Sequence, residues 1–420
     1  MGAVRRPHTT DATESETDMR LLVGSTIAIV LTAGALLGGA FDEGAASAAP
    51  LLEAQRAATR GLTLQQEARV SGNPALYPRA EQALERALRL DPANGQALRG
   101  LSALAASRHR FSESLALARR AQALEPDVAA VYGLIGDANL ELGRYGRAFA
   151  AFDRLAALKP SVNAYARISY ARELTGDTRG AIEAMELAVD ASIGAAEPSA
   201  WSRTLLGNLV LADRRPAEAK LLFGEALAFV PGYPGALAGL AELRSAAGDL
   251  EGAAALYRRA AAAAPVPEFA ASLGDTLAVL GRTHEAERAW QRADELERLF
   301  ARNGGRNLLE TAEFDLNHDR NFRSALDRAR QGRAERPSVE GDHVLAWALY
   351  KNGLCAEARP VSLRSLRLGT LDVDGLYHHS LIESCLGNEA AAARYRAQVE
   401  RLDPAYLDDP PSAKRLPAPR

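Results

Sequence analysis

Small residues return along this chain at a fixed stride. Ala80, Ala148, Ala181, Ala219, Ala253, Ala286, Ala325, Ala358 and Ala392 stand mostly 33 to 34 residues apart, with Ser114 in the one double step and two longer steps of 38 and 39. Prolines keep the same beat: Pro92, Pro126 and Pro160, then Pro231 and Pro265, are 34 apart within each run. A period of this length belongs to stacked supersecondary units, because a unit this short cannot bury its apolar face without a neighbour to cover it. Function is therefore to be sought on a surface made by repetition.

Within each period the pattern is helical. Two amphipathic stretches are joined by a short turn, often marked by glycine: Gly143, Gly176, Gly248, Gly281, Gly353 and Gly387. Glycine reaches the left-handed backbone that ends a helix, which explains its place there. The small residues Gly136, Ser169, Gly207, Ala241, Gly274, Ala346 and Ser380 let paired helices approach closely. Leu101, Ile135, Leu206, Leu240 and Leu273 beside them fill the groove that results. Proline after the second stretch stops it by removing a donor and clashing with the preceding turn. No run alternates with period two, so sheet is not expected. Apolar residues make up 47% of the 420 but aromatics only 6%, which suits closely spaced helices better than a sandwich or barrel.

The third unit, Ala129 to Val162, reads AAVYGLIGDANLELGRYGRAFAAFDRLAALKPSV. With Tyr132, Ile135, Gly136, Tyr145, Ala148, Phe152 and Pro160 in their places, it resembles the tetratricopeptide repeat family. The resemblance implies an all-α, right-handed superhelical solenoid of about ten helix–turn–helix repeats. The units run 61–94, 95–128, 129–162, 162–195, 200–233, 234–267, 267–300, 306–339, 339–372 and 373–406, and the first and last three are the most degenerate. The expected organisation is a polar tail over 1–18, a signal peptide or membrane anchor over 19–50, one elongated solenoid over 51–406 and a proline-rich tail over 407–420.

The segment before the repeats is of another kind. Leu21 to Ala40 holds twenty residues without a charge, with Arg20 before it and Asp42 and Glu43 after. That is about the length a helix needs to cross a hydrocarbon core of ~30 Å. A small-residue exit, Ala46-Ser47-Ala48, follows, and a start at Met19 would make the segment an ordinary secretory signal. Cleaved or retained, it contacts the membrane, and its flanking charges place the amino end inside and the repeats outside. The expected location is extracytoplasmic. No cysteine follows the apolar run, so there is no thiol for a lipoprotein anchor.

Charge and motifs narrow the function. The 50 basic and 53 acidic residues are interspersed, leaving a net charge of −3, without the basic excess of a nucleic-acid binder. Only four lysines occur, so arginine carries the positive charge, and its fork suits carboxylates and phosphates. No GxSxG, HExxH, GxxxxGK[ST] or paired CxxC is present, so no catalytic residue, cofactor or enzyme activity is assigned. His318, His343, His378 and His379 gather in the last three repeats near Asp315, Asp319 and Asp342, which raises an alternative of metal or small-ligand handling. None shows the i, i+4 spacing that aims two ligands from one helix face, so no metal site is assigned.

In such arrays, the resemblance implies, the first helix of each unit lines a concave surface. Its inward places carry Asp137, Tyr170, Asn208, Glu242, Asp275, Glu310, Phe314, His343, Trp347 and Tyr377 as the expected partner-binding groove. The middle of that groove is acidic and polar; its carboxyl-terminal third is aromatic. Cys355 and Cys385 fall in turns on one edge of neighbouring units, within possible reach of a disulfide. The function expected is an exported or membrane-anchored scaffold that binds a protein or peptide in this groove.

Overall fold

The computed structural model describes residues 42–404, 406 and 407. Among these residues there are twenty α-helices and no strand. They form ten consecutive pairs. The first five are α1 (Asp42–Ser71) with α2 (Tyr77–Leu90), α3 (Gly95–Ser107) with α4 (Phe111–Leu124), α5 (Ala129–Glu141) with α6 (Tyr145–Leu158), α7 (Val162–Leu174) with α8 (Thr178–Ala191), and α9 (Ala196–Ala212) with α10 (Pro216–Phe229). The other five are α11 (Pro234–Ala246) with α12 (Leu250–Ala263), α13 (Pro267–Val279) with α14 (Thr283–Arg302), α15 (Leu308–Asn317) with α16 (Phe322–Glu335), α17 (Val339–Lys351) with α18 (Cys355–Ser365), and α19 (Val373–Cys385) with α20 (Glu389–Leu402). Each helix packs chiefly on the one before and the one after, so the fold is an all-α solenoid.

The recurrent small residues are the seam of every pair. All nine alanines of the stride, and Ser114, are 0% exposed. The serine is tolerated because Ser102 stands opposite: its hydroxyl donates to the Ser114 carbonyl at 2.9 Å. Ser169 does the same for the carbonyl of Ala181 at 2.7 Å. Where the facing residue is glycine an aromatic ring takes the space. A methyl on Gly136 would lie 2.2 Å from the Phe152 ring, and one on Gly207 would lie 2.6 Å from Phe223. Side-chain caps start several helices: Asn94, Asp177, Asp249 and Ser338 each accept from a backbone N–H three residues on.

Helix α1 begins at Asp42 and runs through position 51, so no break in the backbone marks the boundary expected there. Leu21–Ala40 lies outside the described residues, as do residues 1–18 and most of 407–420. Among the described residues no helix is long and apolar enough to cross a membrane.

The solenoid coils tightly enough to touch itself. Turns inside the early repeats meet turns between the late ones, at sequence separations of 188 to 196 residues. The backbone N–H of Val339 donates to the Tyr145 hydroxyl at 2.7 Å, and the Thr370 hydroxyl donates to the Leu174 carbonyl at 2.6 Å. Gly143, at φ 66°, comes so close that a methyl there would lie 2.2 Å from the carbonyl oxygen of Pro337. Gly176 approaches Gly369 in the same way. With 33 to 34 residues per repeat, one superhelical turn takes a little under six repeats.

Arg336 clasps the two turns together. It is 6% exposed and pairs with Glu141 at 2.9 Å, Glu310 at 2.5 Å and Glu340 at 3.2 Å, with its guanidinium over the Phe111 ring. Burial alone would lower the arginine's pKa, but the three carboxylates outweigh it and raise it, so the charge is held. Arg336→Ala should leave Glu141 and Glu310 facing one another uncompensated. Loss of such a buried partner costs roughly 3–5 kcal/mol. Small-angle scattering should show a larger radius of gyration with helicity by circular dichroism retained; an unchanged radius would show that the clasp does not hold the coil closed.

Candidate functional site

The first helix of each pair carries a row of carboxylates, and their environment reveals a hollow. Glu173 on α7, Glu242 on α11, Glu268 on α13, Glu340 on α17 and Asp374 on α19 are exposed. Burial nevertheless raises the pKa of all five. Water reaches these side chains while neighbouring protein crowds them, and Glu340 acts on Tyr170 from one superhelical turn away. Glu297 on α14 and Glu313 on α15 are half-buried and pushed up to about 7, in each case by burial first. Neighbouring carboxylates add to the effect: Glu340, Asp374 and Glu310 raise Glu313, while His343 lowers it.

Cations neutralise part of this wall. Asp137 holds Arg167 through two bonds, of 2.7 and 2.6 Å, and Glu310 and Glu340 share Arg336. Asp275 accepts from Trp290 at 2.9 Å and contacts His318 at 2.8 Å. Glu242 and Glu313 have neither a hydrogen bond nor an ion pair, and Glu268 meets only its own backbone N–H. Tyr170, 44% exposed, and Asn208, also exposed, open on the same side. At the amino-terminal end a cleft of about 480 Å³ lies between Arg99, Gly133, Leu134, Lys159 and Arg167.

The aromatic third of the expected groove is different. Trp347 is 1% exposed, stacked between His378 at 3.7 Å and Tyr350 at 5.2 Å, with its indole N–H donated to Asn317 at 3.0 Å. Tyr377 is 8% exposed and meets Tyr406 edge-on at 5.4 Å beside Val399. These two rings are core and not groove anchors, because His378 on α19 covers the indole and Tyr406 covers the Tyr377 ring. Phe314 is half-buried against His318 at 4.0 Å and carries the Arg320 guanidinium on its face.

The histidines are engaged in packing. His343 stacks on His378 at 5.2 Å, and buried His379 bonds the Ser362 hydroxyl at 2.9 Å. The nearby aspartates hold cations: Asp315 pairs with Arg320 and Arg328, Asp319 with Lys351, and Asp342 with Arg333, Arg364 and Arg367. Arginine thus serves in these repeats as an internal clamp on carboxylates. Among the described residues no three His, Cys, Asp or Glu side chains converge as metal ligands.

Two tetratricopeptide repeat family profiles match the chain, over residues 129–161 and 210–275. These two segments are tetratricopeptide repeats. It is 38% identical over 99 residues to the Hsp70-Hsp90 organizing protein of Triticum aestivum, a match that spans 23% of this chain and 17% of that relative's length. Among solved structures it resembles the APC/C hetero-tetramer Cut9–Hcn1 at 15% identity, covering 87% of this chain and 76% of the other, with a TM-score of 0.41. It resembles yeast Tom70 at 13% identity, covering 86% and 94%, with a TM-score of 0.39.

In this repeat protein several residues of the hollow are not among those the register of the repeats points to. Glu141 and Glu313 fall at places adjoining those counted as inward, and a wider count along each first helix would have found them. Arg336 carries no such signal, since it closes the second helix of its repeat and acts on residues one superhelical turn away.

Cys355, at the start of α18, is joined by a disulfide to Cys385, at the end of α19, with alpha carbons 6.3 Å apart and a sequence separation of 30. A loop of this length is constrained by about 3–4 kcal/mol in the chain-entropy account. Unreduced, denatured protein should show no reactive thiol, and Cys355→Ser with Cys385→Ser should lower the denaturation midpoint of the last two repeats. Two thiols per chain before reduction would contradict the bridge.

The raised carboxyls set a pH dependence. A glutamate with a pKa of about 7 in the folded chain, against an ordinary 4.5, binds protons more readily when folded. Its stability cost is therefore absent below about 4.5, grows as pH rises, and is complete above about 7. Glu313→Gln should raise the melting temperature at pH 8 by roughly 1–3 °C and leave it unchanged at pH 4. Equal shifts at both values would mean that the carboxyl's charge is not the cause.

Proposed function

We propose that this repeat protein is a non-catalytic scaffold that holds a polypeptide segment against its concave face. The observation that supports this most is the inner wall: first helices from α5 to α19 carry exposed or half-buried polar and acidic side chains that act on one another, as Glu310 does on Glu268 and Glu313 and Glu340 on Tyr170. Repeated shallow contacts over several units would give the binding energy, and a coil already closed by Arg336 would limit the ordering cost. Leu21–Ala40, with Arg20 before it and acidic residues after, supports placement of the repeats outside the cytoplasm, either released after Ala48 or anchored.

A photo-cross-linking residue placed at Tyr170, inside the hollow, should give discrete polypeptide adducts in the expressing cell. The same residue at Leu221, which is 68% exposed on a second helix, should give few. Equal adducts from both positions, or none from Tyr170, would sink the groove reading. Protease added to intact cells or spheroplasts should reach the repeats, and full protection would overturn the placement.

A further inference from the structure

The coil has two free ends, and they differ in kind. Turns inside repeats one to five meet the connections that follow repeats six to ten. Gly72 faces Pro265, Arg108 faces Gly304, Gly143 faces Pro337, Gly176 faces Gly369, and Arg214 donates to the Leu402 carbonyl at 3.4 Å. That seam occupies one edge of the first superhelical turn and the opposite edge of the second. The connections that follow repeats one to five are left as one end of the coil, and the turns inside repeats six to ten as the other. A methyl on Gly194 or Gly232 at the first end would meet nothing within 4 Å, nor would one on Gly248, Gly281, Gly353 or Gly387 at the second.

The first end is apolar at its tips. Leu124 closes α4, Phe229 closes α10 beside Arg203, and Ile193, 78% exposed, stands between repeats four and five. The other connections of this end expose Pro92, Pro126, Pro160 and Pro231. Between its helices Asp127 and Lys159 are the exposed charges, and they cancel. The second end is polar. Asp249, Asn321 and Asn388 are exposed in its turns, and Val279 is its one exposed large apolar side chain among the described residues. Single exposed apolar residues are ordinary, but here they recur at successive connections of one ring and are nearly missing from the other.

Helix α1 leaves the molecule through the apolar end. Glu53 pairs with Arg86 near the end of α2, and Gln55 donates to Gln96 at the start of α3. At that level α1 passes the connection after repeat one, and residues 42–52 continue beyond it by about 16 Å. Leu51 and Leu52 are exposed there, and the sequence from Gly44 to Leu52 holds no charge. Just before α1 comes Leu21–Ala40, the uncharged run long enough to cross a bilayer.

We propose, resting on the placement above with Leu21–Ala40 retained as an anchor, that the first end of the coil is a membrane-contacting surface. Leu51, Leu52, Leu124, Ile193 and Phe229 sit in the interfacial layer of a lipid bilayer, where apolar burial supplies the attraction. A ring whose exposed charges cancel fits zwitterionic headgroups and has no cationic face to select anionic ones. The polar end faces away from the bilayer, and the coil stands upright on its anchor.

The test uses the full chain with one added cysteine: Leu124→Cys or Ile193→Cys at the apolar end, Thr283→Cys or Asn388→Cys at the polar end. Each is labelled with the environment-sensitive dye NBD; Cys355 and Cys385 are joined and do not react. In phosphatidylcholine vesicles, lipid spin-labelled near the headgroup should quench the dye roughly twofold or more in the first two chains and little in the others. Adding Ile193→Asp and Phe229→Asp to the Leu124→Cys chain should remove most of that quenching with helicity unchanged by circular dichroism. If the chain floats with the vesicles but both ends are quenched alike, or neither is, the anchor stands and the upright contact falls. A blue-shifted dye at Leu124 and Ile193 that spin-labelled lipid does not quench would mean that protein covers the ring, and the lipid contact falls too. If the chain does not float, the anchor reading and the proposal fall together.

Discussion

Everything in this molecule depends on how closely the two helices of a repeat can lie. Ten consecutive repeats place a residue no larger than alanine or serine at the same seam, with no exposure to water. A β-branched or longer side chain there would push the pair apart, and overpacking of a tight seam costs typically 1–3 kcal/mol. Because every pair has nearly the same spacing, every pair passes nearly the same rotation to the next. The solenoid is the accumulation of that one angle.

The tight coil then creates contacts that no single repeat contains. Turns roughly six repeats apart meet, and their fit is close enough that Gly143 and Gly176 leave no room for a side chain. Arg336 links Phe111 and Glu141 of one superhelical turn to Glu310 and Glu340 of the next. A solenoid held only by neighbour contacts would open and close easily; these long-range bonds make the inner face a more fixed hollow. Its carboxylates are accordingly reached by water and still destabilised by burial.

The last repeats depart from the pattern in composition and in stabilisation. Their core contains Trp347, His378, His379, Tyr377 and Tyr406, where earlier repeats bury fewer rings, such as Phe152, Phe223 and Tyr257, among alanine and leucine. Buried aspartates surrounded by arginine and the Cys355–Cys385 bridge compensate for a less regular apolar seam. These features explain why the carboxyl-terminal units match the repeat pattern least well while remaining folded parts of the same array.

The alanine and proline stride by itself determined the all-α class, the number of helix pairs and the residues at each seam, because those depend only on contacts between neighbours in sequence. It also assigned Glu242 and Asp275 to first helices. It misplaced Trp347 and Tyr377, since a register position says which side of a helix a ring starts from and not how far the next helix advances to cover it. The clasp at Arg336, the stacking of Gly143 on Pro337 and the crowding of half-buried Glu313 were decided by the tertiary structure alone. They arise from a small rotation summed over nearly six repeats, and a period of 33 to 34 residues carries no record of that angle.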